Sequence, residues 1–156
     1  MSENKKYRQN VAAVILSHKY PLVCELFVAR RNDMKNVWQF PQGGIDDGES
    51  EKDALFRELE EEIGTNKIEI ITKYPEQLKY DFPQTIAKKM YPFDGQNQTY
   101  FLVKLKSSAK IDLNTKHPEF DDYNFVKLEK IFEMVTYFKR PVYQKVLSYF
   151  KKEGYL

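Results

Sequence analysis

Apolar and polar positions alternate along the chain in short runs that predict strands before and after one strongly patterned helix. Residues 10–17 hold the apolar run VAAVIL, and residues 24–31 (CELFVARR) form a partner run across a turn at residues 19–22, which together predict a hairpin. Residues 37–40 suit a short strand, after which Pro41 and the Gly43-Gly44 pair break regular structure. A helix is expected to start near Ser50, a good N-cap followed by acidic residues in the first turn. Leu55, Leu59 and Ile63 recur every four positions as its apolar stripe, and Gly64 ends it. Beyond it, residues 67–74 alternate with Ile68, Ile70 and Thr72 on one face, and residues 99–105 and 124–128 are further strand candidates. Residues 129–135 and 141–152 look helical, the second through Val142, Val146, Leu147 and Phe150. Residues 80–98 are broken by prolines and carry no clean period, so they are a substrate loop or a pair of irregular strands. The chain reads as mixed α/β, with no internal repeat or low-complexity tract.

The other arc of the central helix carries Glu58, Glu61 and Glu62. Positions three and four apart share a helix face, so these carboxylates converge and repel. Hard divalent cations with oxygen ligands account for such a grouping, Mg²⁺ first among them. Residues 45–64 contain nine acidic residues against Lys52 and Arg57, a local charge of −7 within a chain of +2, so the remainder carries +9. An acidic patch in a basic body suits a polyanionic substrate.

A length of 156 residues fits one domain over 1–156 with a sizeable core. No run approaches the roughly 20 apolar residues of a membrane span, and the N-terminal residues lead only into the six-residue apolar stretch 11–16, so a cytoplasmic protein with no membrane partner is expected. Cys24 is the single cysteine, which excludes an intramolecular disulfide and a thiolate cluster and is read as a buried, inert thiol. His18 and His117 lack ligand spacing and are assigned to no metal.

Residues 43–65 also fit a known pattern: G, five residues, E, seven residues, R-E, an aliphatic, any residue, E-E, any residue, G, an aliphatic. Gly43, Glu49, Arg57, Glu58, Leu59, Glu61, Glu62 and Gly64 fill it, with Thr65 in place of the last aliphatic. The segment resembles the Nudix box. The resemblance implies a Nudix fold, an α/β/α sandwich around a mixed β-sheet, and hydrolysis of a nucleoside diphosphate linked to another group. Outside the box, YRQNVAAVI, VARR, WQFPQGG, LKYDFP, GQNQTYFLV, HPEFDDY and FKRPVYQKV resemble bacterial RNA pyrophosphohydrolases and their dinucleoside-polyphosphate-hydrolase relatives. This implies conversion of 5′-triphosphate or 5′-diphosphate RNA ends to 5′-monophosphates, a step that promotes mRNA decay.

For the site, the resemblance implies Mg²⁺, with Mn²⁺ also accepted by such oxygen ligands, held by Glu58, Glu61, Glu62, the Gly43 carbonyl and Glu119. Glu58, Glu61 and Glu62 are the catalytic set, with Glu58 favoured to take the proton of the attacking water. Arg57 is expected to orient the cluster, Glu49 to steady the loop, and Gly64 to be structural. Arg8, Phe138 and Lys139 match RNA-end-binding positions, since Arg and Phe stack on bases and Lys reads phosphate. Arg30 and Tyr80 are weaker candidates for phosphate or nucleotide contacts. Gln98 reads equally as an exposed amide, and Trp38 as core or base platform. Two competing functions stand: asymmetric hydrolysis of diadenosine tetraphosphate and similar dinucleotides, and a non-catalytic nucleotide- or RNA-binding module. Nothing in the sequence names a protein partner.

Overall fold

The computed structural model describes residues 4–135 and 139–156. In chain order the elements are β1 (Tyr7–Leu16), β2 (Leu26–Arg31), β3 (Trp38–Gln39), β4 (Gln42–Gly44), α1 (Glu51–Ile63), β5 (Ile68–Lys73), β6 (Leu78–Asp81), α2 (Gln84–Lys89), β7 (Gly95–Leu105), β8 (Phe120–Val126), α3 (Leu128–Met134) and α4 (Arg140–Lys152). The strands form one mixed sheet of order β3-β2-β1-β7-β5, with β4 on β1, β6 on β7 and β8 on β2. Its spine is the parallel pairing of β1 with β7, in register from Tyr7↔Gly95 to Leu16↔Lys104.

Strand periodicity decides which side chains go to which side of this sheet. From β1, Val11, Ala13 and Ile15 pack with Phe101 and Val103 of β7 against Ala54, Leu55, Leu59 and Ile63 of α1. The intervening Ala12, Val14 and Leu16 pack with Tyr100 and Leu102 against Ile131 of α3 and Tyr143, Val146, Leu147 and Phe150 of α4. Helices therefore cover both faces, the sandwich expected from the box, and the apolar stripe of α1 is what docks it. Ser50 Oγ accepts from the Asp53 N–H at 3.1 Å, and Gly64 closes the helix at φ 76°, a left-handed conformation that glycine adopts freely.

Three expectations change. The hairpin of β1 and β2 is a fork: the strands meet only at Leu16↔Leu26, and β4 takes the far end of the same β1 edge at Asn10, Val11 and Ala12. The Pro41 carbonyl accepts from the Ala13 N–H at 3.0 Å between the two pairings. Residues 42–44, expected as a break, are thus a strand, because β1 offers them a free edge and glycines tolerate its close approach. Residues 80–98 are neither a loop nor two irregular strands. They hold the end of β6, the short helix α2 entered at Pro83, and the start of β7, where Leu78–Asp81 pairs antiparallel with Gly95–Gln98.

Candidate active site

The fork in the sheet leaves Gly43 and Gly44 beside α1, and one side chain stitches loop to helix. Arg57 donates through Nε and Nη2 to the two Glu49 carboxylate oxygens at 2.7 and 2.8 Å and through Nη2 to the Gly44 carbonyl at 2.8 Å. Its Nη1 reaches Glu58 at 2.9 Å and Glu61 at 3.2 Å. Glu49 also accepts from the Asp46 N–H at 3.0 Å, so the turn before α1 is closed on itself as well as on Arg57. The Arg57 guanidinium and that backbone bond together hold the Glu49 carboxyl down at about 2.

The other carboxylates are pushed the opposite way. Burial raises Glu58 to about 7, against the pull of Arg57 and with Glu61 and Glu119 adding repulsion. Glu62 is 3% exposed, and burial with the negative charges of Glu119 and Glu58 raises it well above the usual carboxylate range. Glu62 Oε1 accepts from the Gln42 N–H at 3.2 Å, while Oε2 is buried without a hydrogen-bond partner. A Cβ on Gly43 would fall on the Glu58 carboxylate. Among the described residues no three His, Cys, Asp or Glu side chains stand ready around a common point, since Glu58 and Glu61 are drawn to Arg57. Buried carboxylates of one sign and an orphaned oxygen nonetheless suit a divalent cation with oxygen ligands, which would bring the charge these groups lack. Glu119 joins them from the loop before β8; its carbonyl accepts from the Asn32 N–H at 2.9 Å and the neighbouring Pro118 carbonyl from Asn32 Nδ2 at 2.8 Å, which ties that loop to the end of β2.

Beside this cluster opens a cleft of about 540 Å³, lined by Gly43, Glu58, Glu61 and Glu119 and also by Arg8 and Arg31, with the Arg8 guanidinium lying against Gly44. Acidic and basic groups thus face one space. Tyr80 and Lys139 also line it, both buried. Burial pushes the Tyr80 phenol up to about 12, and burial beside the Arg31 charge pushes the Lys139 amine down to about 7. Lys139 Nζ donates to Gln39 at 3.0 Å. Phe138 lies outside the described residues.

Arg30 stands apart, on a shallower neighbouring depression, bonded to Asp121 at 2.7 Å and lying 5.7 Å over the Trp38 ring. Gln98 is not an exposed amide: it is fully buried, because β7 is a central strand, and its Nε2 donates to Asn10 at 2.9 Å and Gln42 at 2.7 Å. Cys24 is only half-buried, and burial raises its thiol. Sequence reasoning passed over Arg31, Asn32 and the amides of Asn10, Gln42 and Gln96. For Arg31 a signal existed, since it adjoins Arg30 in the VARR segment at the end of β2; both border the shallower depression, and of the two Arg31 also lines the cleft.

Comparison with known proteins gives the same family. The NUDIX domain matches residues 6–146. The chain is 67% identical over 153 residues to an RNA pyrophosphohydrolase of a Nitratiruptor species, covering 98% of this chain and 99% of that one. It is 62% identical over 156 residues, all of both chains, to the RNA pyrophosphohydrolase of Campylobacter jejuni subsp. jejuni serotype O:23/36. Among solved structures, the E. coli dihydroneopterin triphosphate pyrophosphohydrolase superposes with a TM-score of 0.71 at 16% identity, over 90% of this chain and 97% of that one. A C. elegans Ap4A hydrolase does so at 0.67 and 19% identity, over 92% and 98%. At such identities these likenesses show the fold alone.

Proposed function

The chain belongs to the NUDIX domain family, hydrolases that act on pyrophosphate bonds and generally use divalent metal ions, and from that premise we propose that it is an RNA 5′-pyrophosphohydrolase. In this reading it converts 5′-triphosphate or 5′-diphosphate RNA ends to 5′-monophosphates in the cytoplasm and so promotes mRNA decay. The observation that carries it is full-length identity of 62–67% with RNA pyrophosphohydrolases. The cleft agrees, because cationic Arg8 and Arg31 and acidic Glu58, Glu61 and Glu119 line one space, as a polyphosphate and its counter-ion require.

Mg²⁺ would be held by Glu58, Glu61, Glu62, Glu119 and the Gly43 carbonyl, with Mn²⁺ the alternative. When bound, the ion neutralises phosphate oxygens and acidifies the attacking water. The chain supplies the rest. Glu58 is the carboxylate assigned to take the proton of that water, and the cation's charge would offset the burial and the Glu61 and Glu119 repulsion that otherwise disfavour its ionised form. Arg57 holds Glu58 and Glu61 in orientation, and its grip on Glu49 and Gly44 fixes the loop that presents the Gly43 carbonyl. Arg8 and Lys139 serve the phosphates and the RNA end, with Phe138 as a stacking platform and Tyr80 as a lesser contact. Arg30, paired with Asp121, is left for RNA beyond the cleft.

The experiment is a competition in one tube between 5′-triphosphate RNA, 5′-diphosphate RNA and diadenosine tetraphosphate, with Mg²⁺ and products resolved. The proposal expects faster conversion of RNA ends to monophosphates. Preferential cleavage of the dinucleotide would make it a polyphosphate hydrolase instead, and turnover of none would make it a binding module.

A further inference from the structure

Helix α2 borders the cleft without being anchored there by packing. None of its residues is buried, yet Phe82, Ile86, Lys89 and Met90 of the excursion that joins β6 to β7 all line the cleft. The excursion is held at its two ends, and both are tied to the N-terminal arm. At its exit the Asp94 N–H donates to the Lys6 carbonyl at 2.7 Å, and Asp94 Oδ2 accepts from the Lys6 N–H at 2.8 Å. The Asp94 carbonyl accepts from the Phe82 N–H at 2.8 Å, which closes the excursion on itself. At its entry the Asp81 carboxylate accepts from Tyr7 Oη at 2.6 Å and from Lys5 Nζ at 2.7 Å.

The sheet is shaped to admit this clasp. Tyr7 pairs with Gly95 and Gly95 with Asp81, so the three stand in one row across β1, β7 and β6. A Cβ on Gly95 would come within 2.9 Å of Tyr7 Cε1 and would strike the Tyr80 carbonyl, so the missing side chain is what lets the Tyr7 ring lie across β7 toward Asp81. Lys79 Nζ stands 5.0 Å from the centroid of that ring and steadies it as a cation over an aromatic face. Strand alternation sends the chain neighbours Arg8, Gln96 and Tyr80 to the opposite face, where all three line the cleft. Tyr7, Asp81 and Asp94 themselves do not line it. The clasp therefore sits behind the cleft, joined by the backbone to Arg8 on one side and to α2 on the other. Lys5 and Asp81 are each about half exposed, and such a pair is weak in water, so the clasp sets a position that modest changes can release.

We propose that Tyr7, Asp81 and Asp94 are positioning residues that clasp the excursion between β6 and β7 and so set how far α2 stands from Arg8, the width of the cleft offered to the RNA chain. They act through α2 and Arg8 and leave bond cleavage at the glutamates untouched; the substrate side of the inference rests on the proposed reading of the cleft as an RNA-end site. The test joins amide hydrogen exchange to steady-state kinetics on wild-type protein, Tyr7→Phe, Asp94→Ala and Asp94→Asn. Tyr7→Phe keeps the ring over Gly95 and deletes its hydroxyl. Asp94→Asn keeps an acceptor for the Lys6 N–H, which Asp94→Ala does not. In Tyr7→Phe and Asp94→Ala the amides of α2 should exchange about tenfold faster than in wild type while those of central β1 stay unchanged. KM for 5′-triphosphate RNA should rise about fivefold to tenfold, with kcat within about twofold of wild type. Asp94→Asn should restore both readings. Unchanged exchange in α2 overturns the proposal, as does faster exchange with KM unmoved, a fall in kcat at constant KM, or an Asp94→Asn protein no better than Asp94→Ala. Wild-type protein that hydrolyses no RNA would sink the proposed function, and the exchange rates and their rescue would still decide the clasp.

Discussion

A methyl group at Gly43 would land on the Glu58 carboxylate, so this glycine keeps room for the side chain proposed as catalytic where a turn glycine would serve a backbone angle. The obstructed group is the tip of a flexible side chain, which can move aside. Gly43→Ala should therefore leave the melting temperature nearly unchanged and lower kcat by about 100-fold, since small displacements at a reacting centre cost that much; a large loss of melting temperature with kcat retained would contradict this. At this scale the sequence was legible where chemistry repeats in a motif, as in the box glutamates. It was opaque where burial depends on neighbours distant in sequence. Gln98 has the composition of a surface amide, but it is enclosed because β1 and β6 flank β7 at that point.

The loop and α1 behave as one element, because Arg57 spans from Glu49 through Gly44 to Glu58 and Glu61. The Glu49 carboxyl, lowered from 4.5 to about 2, contributes stability that is fully present above its unfolded-state value. That contribution is lost as pH falls through about 2, when protonation releases Arg57. Glu49→Gln should thus flatten the acid limb of the stability curve between those values, measured by chemical denaturation across pH; an acid limb identical to wild type would refute the coupling. Packing holds the same element from beneath. Leu59 is 1% exposed, and Leu59→Ala should cost about 2–5 kcal/mol in denaturant unfolding. A cost below about 1 kcal/mol would mean that α1 is not seated on the sheet as described. Cap, stripe and terminal glycine of α1 were readable because they are local. Strand β4 was not, since only the open edge of β1 makes a strand of a Gly-Gly pair.

The whole molecule divides its work across the sheet: α1 on one face, α3 and α4 on the other, with the forked end of β1 as the place where acidic helix and basic cleft meet. The sandwich was foreseeable from the resemblance to the Nudix box, whereas the cleft was not, because Arg8, Arg31 and Lys139 reach it from three separate stretches of chain. The uneven charge gains its meaning here, with the −7 segment facing arginines of the +9 remainder. Arg8→Ala should reduce turnover of RNA ends about tenfold or more while affecting diadenosine tetraphosphate less, and equal losses on both would remove its role at the RNA end. The most direct test of the account follows 5′-triphosphate RNA in Mg²⁺ with wild-type protein beside folded Glu62→Gln, reading 5′-monophosphate ends over time. The account predicts conversion by the wild type and a fall of about 100-fold or more in the variant, as for the loss of a metal ligand. Equal rates for the two proteins, or RNA left intact by the wild type, would contradict it.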